Sequence, residues 1–215
     1  MVQISDARRA EPHTKFQERQ REILAGASRV FRRQGLHATG MRDIAAELKM
    51  AVGNLYYYFK DKDALLAFVQ EEALAGLLAL ADEVLEQGPR EDARLHRLIA
   101  GHIVLLNETT PGSLAHLEVE VLTEPRRSAV RAQRDAYRRA LRQIVQTGIA
   151  AGVFRPADPT AASMAILGAA NWTVKWFRPD GRKSARAIGS EVAEILVRGL
   201  LAPGIEPSFP SSEEL

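Results

Sequence analysis

Two short amphipathic segments set almost end to end constrain this chain more than any other feature. Arg42 to Leu48 puts Ile44, Ala45 and Leu48 on one helical face, and Val52 to Tyr58 follows after a break of about three residues. A longer segment, Phe16 to Gln34, precedes them with Ile23, Ala27, Val30 and Phe31 at i, i+4, i+7 and i+8; Gly35 is placed to end it in the left-handed conformation. A long helix bracing two short ones across a tight turn is the layout of a helix-turn-helix. Asp61 then reads as the N-cap of a further helix through Leu85.

The second short segment carries Tyr56, Tyr57 and Tyr58 followed by Phe59, in a chain with only 6% aromatic residues. Successive helical residues point about 100° apart, so four adjacent aromatics cannot share one core. Leu55 and Phe59 are the expected inward pair, with Tyr58 beside them and Tyr56 and Tyr57 pushed outward. An outward phenol suits DNA, because its hydroxyl can bond a phosphate and its ring can lie against sugar or a thymine methyl. The charge distribution agrees: residues 1–62 hold 12 Lys/Arg against 7 Asp/Glu, and the remainder 17 against 20. A basic N-terminal third is the electrostatic footprint of an anionic partner.

The run Thr39-Gly-Met-Arg-Asp-Ile-Ala-Ala-Glu-Leu-Lys-Met-Ala-Val-Gly-Asn-Leu-Tyr-Tyr-Tyr-Phe-Lys-Asp-Lys-Asp-Ala-Leu-Leu66 resembles the DNA-binding domain of the TetR family of bacterial transcriptional regulators. The resemblance covers roughly residues 16–70, and it rests above all on Gly-Asn-Leu-Tyr-Tyr-Tyr-Phe followed by Lys-x-Lys. It implies a homodimer that binds double-stranded palindromic DNA through paired recognition helices, with a helical effector domain behind them, in a chain expected in the cytoplasm for want of a membrane span or signal h-region. By that carry-over Thr39 and Arg42 lie near phosphate, Val52, Gly53 and Asn54 open the recognition helix, Tyr56 and Tyr57 reach backbone or base edges, and Lys62 grips phosphate. Asn54 is also suited to a bidentate contact with adenine. The chain departs from many family members in carrying Gly40 where Thr is usual and Lys49 where Gly is usual. Gly40 is an acceptable N-cap with Asp43 three residues on, whereas Lys49 is strained by about 1 kcal/mol if its turn needs positive φ.

Beyond residue 70 the pattern stays helical, so the fold class is all-α with about nine helices. The expected division is a mobile arm over 1–13, the helix-turn-helix domain over 14–60, an effector-binding and dimerisation domain over 61–203 and a mobile tail over 204–215. Gly88-Pro89 ends the helix begun at Asp61, Asp92 to Asn107 forms the next, and "TTPGS" is a loop before a short one. Pro125 suits the first turn of a long helix to Ala151, with Tyr137, Leu141, Ile144, Val145 and Ile149 as its apolar face. Asp158-Pro159 opens a helix to about Phe177, and Ser184 caps the last, whose stripe is Ile188, Val192, Ile195, Leu196, Gly199 and Leu200. The small residues Ala161, Ala162, Ala165, Gly168 and Ala169, with Trp172 and Trp176, suggest close helix approach in a dimer bundle; packing within one subunit is the alternative.

Three constellations beyond the DNA reader carry chemistry. His116 and Glu120 stand at i and i+4, a metal-ligand spacing, but without a third ligand in view no metal site is expected. His102 sits in the apolar "LIAGHIVLL" and is either a core histidine or an effector contact. Arg127, Arg131, Arg134, Arg138 and Arg142 make a basic stripe, which is either a solvated face or a cradle for a phosphate-bearing thioester. The candidate effector set is His102, Leu106, Leu117, Tyr137, Leu141, Asn171 and Trp172. "AGVFRPAD" and "NWTVKWFRPDG" resemble the C-terminal half of TetR-family repressors that sense CoA thioesters, implying an acyl-CoA effector.

No enzyme motif is present: there is no P-loop, Gly-x-Ser-x-Gly elbow or dinucleotide fingerprint, and with no cysteine there is neither a thiol nucleophile nor a disulfide. No cofactor is expected. No apolar run approaches the roughly 18 residues of a membrane span and "MVQISDARRAEPHTK" lacks a signal h-region, so no membrane partner is expected either. The competing function is an architectural DNA-binding protein without an effector, which has no need of so large a second domain.

Overall fold

The computed structural model describes residues 7–87, 90–109 and 118–209, and eight α-helices run through them. The expected short helix after "TTPGS" falls on residues outside these. Helix α1 (Ala7–Gln34) begins well before Phe16 and packs on α2 (Met41–Glu47) and α3 (Val52–Tyr58). Its Ile23, Leu24, Ala27 and Phe31 meet Ile44, Ala45, Leu55 and Phe59, all buried. Gly26 lets α1 close on the end of α2: a Cβ there would stand 2.5 Å from Leu48 Cδ2.

The turn chemistry follows the sequence. Gly35 has φ +84° and its N–H returns to Phe31 O at 2.9 Å, closing α1. Gly40 caps α2, and its N–H donates to Asp43 Oδ2 at 2.7 Å. Lys49 takes φ +52°, the strained conformation expected of it. Around it Lys49 N–H donates to Ala46 O at 3.1 Å and Met50 N–H to Ala45 O at 3.0 Å, the paired bonds of a Schellman ending.

Helix α4 (Lys62–Gln87) starts at the Asp61 cap, whose Oδ1 accepts from Ala64 N–H at 2.6 Å. Its first turns complete the N-terminal core with Leu65, Leu66 and Val69, so that core runs past residue 60; Ala73, Leu77, Ala81 and Val84 belong to the second core. By length and composition Lys62–Glu86 is apolar enough to cross a membrane, contrary to the sequence expectation, but half of that stretch is buried between the two cores.

The second core is closed by α5 (Glu91–Val104), α6 (Arg126–Ala150), α7 (Pro159–Trp176) and α8 (Ala185–Arg198). Asp158 and Ser184 cap α7 and α8 as expected, accepting from Thr160 N–H at 2.8 Å and Ala187 N–H at 3.2 Å. A π-helical turn, Leu105–Thr109, follows α5, and a 3-10 turn, Val119–Val121, precedes α6. Helix α8 packs on the core through Ile188, Val192, Leu196 and Leu200 of the predicted stripe, but its most buried line is Ala185, Gly189, Ser190, Ala193 and Val197, where a Cβ on Gly189 would lie 2.9 Å from Ala100 O. Ile195 is left 70% exposed, and Trp172 and Trp176 on α7 are exposed as well.

The C-terminal segment is not free over 204–209. Phe209 is buried and stacks on His96 with ring centres 4.4 Å apart, and Asp92 accepts from Ser208 N–H and Oγ, each at 2.7 Å. Arg90 donates to Asp92 at 2.8 and 2.9 Å and also to Glu206 O. The sequence expectation was a mobile tail over 204–215; over 204–209 the buried Asp92 carboxylate that holds it lies far away in sequence.

Candidate DNA-binding surface and effector cavity

The recognition segment divides as helical geometry requires. Leu55 and Phe59 are buried, Tyr58 is half-buried, and Tyr56 and Tyr57 are 49% and 73% exposed. Tyr57 is held on its edge by Phe16 of α1 and by Tyr58, with ring centres 5.9 and 5.1 Å away. Gly53, Asn54 and Arg42 are exposed, and Val52 is half-buried. A Cβ at Gly53 would meet nothing within 4 Å, so no contact inside the described residues calls for glycine there. The exposed side chains form one outward face.

Two sequence candidates are committed to the fold instead. Thr39 is buried, and its Oγ1 donates to Gly35 O at 2.7 Å. Lys62 Nζ donates to Leu36 O at 2.6 Å, and desolvation holds its pKa below the ordinary lysine value. The ammonium ties the start of α4 to the end of α1.

A cavity of about 420 Å³ opens among α4, α5, α6 and α7. Leu74, Leu77, Val119, Met164 and Leu167 supply its apolar wall, His102, Tyr137 and Asn171 a polar group, and Arg131, Arg134 and Arg138 a cationic side. The polar group is connected: His102 Nδ1 lies 3.0 Å from the Tyr137 hydroxyl and Nε2 lies 3.1 Å from Asn171 Oδ1. Burial pushes the His102 pKa down to about 4, and it raises that of Tyr137 well above its ordinary value. Both side chains are therefore neutral at pH 7.

The structure sorts the remaining effector candidates. Leu106 and Leu141 are buried in the second core and do not border the cavity, because their positions point into the helix packing. Trp172 is 62% exposed on the outer face of α7, one residue round from Asn171, and Leu117 lies outside the described residues. Met164 and Leu167, which the sequence reading missed, stand at i−7 and i−4 from Asn171; that spacing was the available signal.

The arginine stripe is not uniform. Arg127 pairs with Glu124 at 3.0 Å, Arg131 with Glu120 at 2.7 Å, and Arg138 with Asp135. Arg134 is half-buried, its Nε is without a partner among the described residues, and its Nη2 donates to Gln70 Oε1 at 3.3 Å. Desolvation lowers its pKa to about 10. A second cavity of about 280 Å³ adjoins the first, sharing Asp135, Arg138 and Met164, and adds Arg139 and Arg142. Glu120 is engaged by Arg131, its proposed partner His116 lies outside the described residues, and no cluster of metal-ligating side chains occurs among those described.

Residues 23–69 match the family described as bacterial regulatory proteins, tetR family, and residues 88–200 match the tetracyclin repressor-like C-terminal domain. The chain belongs to the TetR family. It is therefore a transcriptional regulator rather than an enzyme. It is 26% identical over 185 residues to the HTH-type transcriptional repressor KstR2 of Mycolicibacterium smegmatis, covering 85% of this chain and 90% of that one. The solved TetR-family regulator PfmR of Thermus thermophilus is similar with a TM-score of 0.74 and 31% identity, over 84% of this chain and 99% of that one. AibR, solved in complex with isovaleryl coenzyme A and operator DNA, is similar with a TM-score of 0.71 and 26% identity, over 85% of this chain and 98% of that one.

Proposed function

We propose that this TetR-family regulator is a dimeric repressor, acting in the cytoplasm, that binds a palindromic operator and is released by an acyl-CoA thioester. The observation that carries the effector class is the cavity's composition. An apolar wall suits an acyl chain, and the half-buried Arg134 guanidinium makes no ion pair among the described residues, with only the longer-range attraction of Glu120 set against its desolvation, so an anionic ligand group is the natural partner. Arg138, Arg139 and Arg142 in the adjoining cavity extend that cationic surface toward the length of a phosphate-bearing carrier. AibR, complexed with an acyl-CoA and operator DNA, offers a parallel in kind.

Dimerisation is supported by the exposed apolar face of α7 and α8, where Trp172, Trp176 and Ile195 stand open to solvent together with Ala161, Ala165 and Gly168. On DNA, Tyr56, Tyr57, Asn54 and Arg42 are the contacts the outward face of the helix-turn-helix offers, with Gly53 allowing close approach of the backbone. Calorimetry with a CoA-thioester panel, free CoA and the matching free acids, each repeated with operator DNA, tests the whole reading. At least one thioester should bind and lower operator affinity. Binding by no thioester removes the effector class, and binding that leaves operator affinity unchanged removes the regulatory role.

A further inference from the structure

Tyr57 is the most exposed of the three adjacent tyrosines, yet its ring is held on two sides. It meets the Phe16 ring edge-on, with centres 5.9 Å apart and planes at 78°, and the Tyr58 ring at 5.1 Å and 88°. Phe16 and Tyr58 lie 5.0 Å apart at 30°, so each of the three rings touches the other two. Tyr58 belongs to the same helix as Tyr57; Phe16 comes from α1. One turn further along α1, Gln20 Nε2 donates to Tyr58 O at 3.4 Å and braces the end of α3. Tyr56, 49% exposed on the same helix, has no ring contact among the described residues. Tyr57 also walls a cavity of about 210 Å³ with Arg19 and Asn54, so the turn of its ring sets the space in front of Asn54.

We infer that Phe16 is a positioning residue for DNA binding: by fixing the Tyr57 ring before DNA arrives, it removes an ordering cost that operator binding would otherwise carry. This rests on the reading of Tyr57 as a DNA contact and adds to it a residue from α1. A side chain standing 73% open to solvent samples several rotamers, and ordering it on binding costs affinity. Ring contacts already made in the free protein reduce that cost. Packing alone gives a different account of Phe16, in which its loss loosens α1 from α3 whatever stands at position 57. The two accounts part on whether the effect of Phe16 passes through Tyr57.

Fluorescence anisotropy of the full-length protein, with a duplex that wild type retains from fragmented genomic DNA, reads a double-mutant cycle of Phe16→Leu with Tyr57→Leu and a parallel one with Tyr56→Leu. Tyr57→Leu and Phe16→Leu should each weaken binding, the latter roughly 2- to 10-fold. In the Tyr57→Leu background Phe16→Leu should cost less than about twofold, and in the Tyr56→Leu background its full effect should remain. Phe16→Tyr, which keeps the ring, should bind within about twofold of wild type. Urea unfolding confirms that each variant is folded, and Phe16→Met takes the place of Phe16→Leu if that variant is not. Additive losses from Phe16→Leu and Tyr57→Leu overturn the inference and leave Tyr57 as a DNA contact. Equal coupling to Tyr56, or a Phe16→Tyr loss as large as that of Phe16→Leu, overturns it in the same way. Full wild-type affinity in Tyr57→Leu overturns the reading of Tyr57 itself, and this inference with it.

Discussion

At the scale of single residues, the informative positions are those whose local cost has no local return. Gly53 in α3 is unfavourable by roughly 1 kcal/mol against alanine, yet a Cβ there would touch nothing within 4 Å. Gly53→Ala is therefore expected to raise unfolding stability by roughly 0.5–1 kcal/mol while weakening operator binding. Urea unfolding and fluorescence anisotropy measure the two separately, and unchanged DNA affinity would leave the glycine unexplained. His102 makes a different prediction, through pH. Its folded pKa is about 4, below the ordinary 6.5 of an unfolded histidine, so the unfolded chain binds a proton that the folded chain refuses. The resulting stability is complete above about pH 6.5 and is lost as pH falls toward 4, amounting to roughly 3 kcal/mol. Urea midpoints between pH 7.5 and 4 should fall more steeply in wild type than in His102→Gln. Parallel curves would show that the imidazole does not carry this dependence.

At the scale of elements, what was legible in the sequence was what neighbours in sequence decide. The caps Gly35, Asp61, Asp158 and Ser184, and the strained Lys49, depend on residues two to four positions away, and each took its expected geometry. The alternation in "LYYYF" likewise fixed which aromatics are buried. Cavity membership was only half legible. Arg134, Tyr137, Asn171 and His102 come together from three helices, and the same apolar periodicity that nominated Leu106 and Leu141 describes a core position equally well. Thr39 and Lys62 also hold backbone carbonyls of the fold, a role the sequence did not foretell, because a polar side chain near DNA and one satisfying a carbonyl have the same sequence appearance. The C-terminal strap was illegible, since it depends on Asp92, whose carboxylate is fully buried and accepts from Arg90 and Ser208. Asp92→Ala should strip four charge-assisted or backbone bonds and lower stability by roughly 2–4 kcal/mol. Limited proteolysis should then cut the tail near Ser208 first, and a protected tail in the variant would show that Phe209 against His96 suffices to hold it.

At the scale of the whole molecule, the question is how an occupied cavity reaches a DNA-reading face built on another core. Helix α4 belongs to both cores, and Gln70 lies on it, fully buried, with its Nε2 donating to Glu118 O at 3.3 Å and its Oε1 accepting from Arg134 at 3.3 Å. Two turns earlier Asp63 is clamped by Thr123 N–H and Oγ1, both at 2.8 Å, and by Arg126, joining the same helix to the start of α6. At the first position of α4, Lys62 is tied to Leu36 beyond α1. On the function proposed above, an anionic ligand group that captured Arg134 would withdraw it from Gln70, so ligand binding and the position of α4 would compete for one guanidinium. A ligand shifts such an equilibrium only by its differential affinity for the two arrangements, typically about 1–3 kcal/mol between coupled sites. Gln70→Leu removes the competitor without touching the DNA face or the cavity's polar group. The variant should bind operator at near wild-type affinity and the thioester more tightly, because Arg134 is already released, while the ligand-induced loss of operator affinity shrinks by about fivefold or more. Anisotropy titrations of operator, with and without saturating ligand, read that difference directly. Undiminished release by Gln70→Leu would place the coupling in another contact, with the Asp63 clamp on Thr123 and Arg126 the next to break.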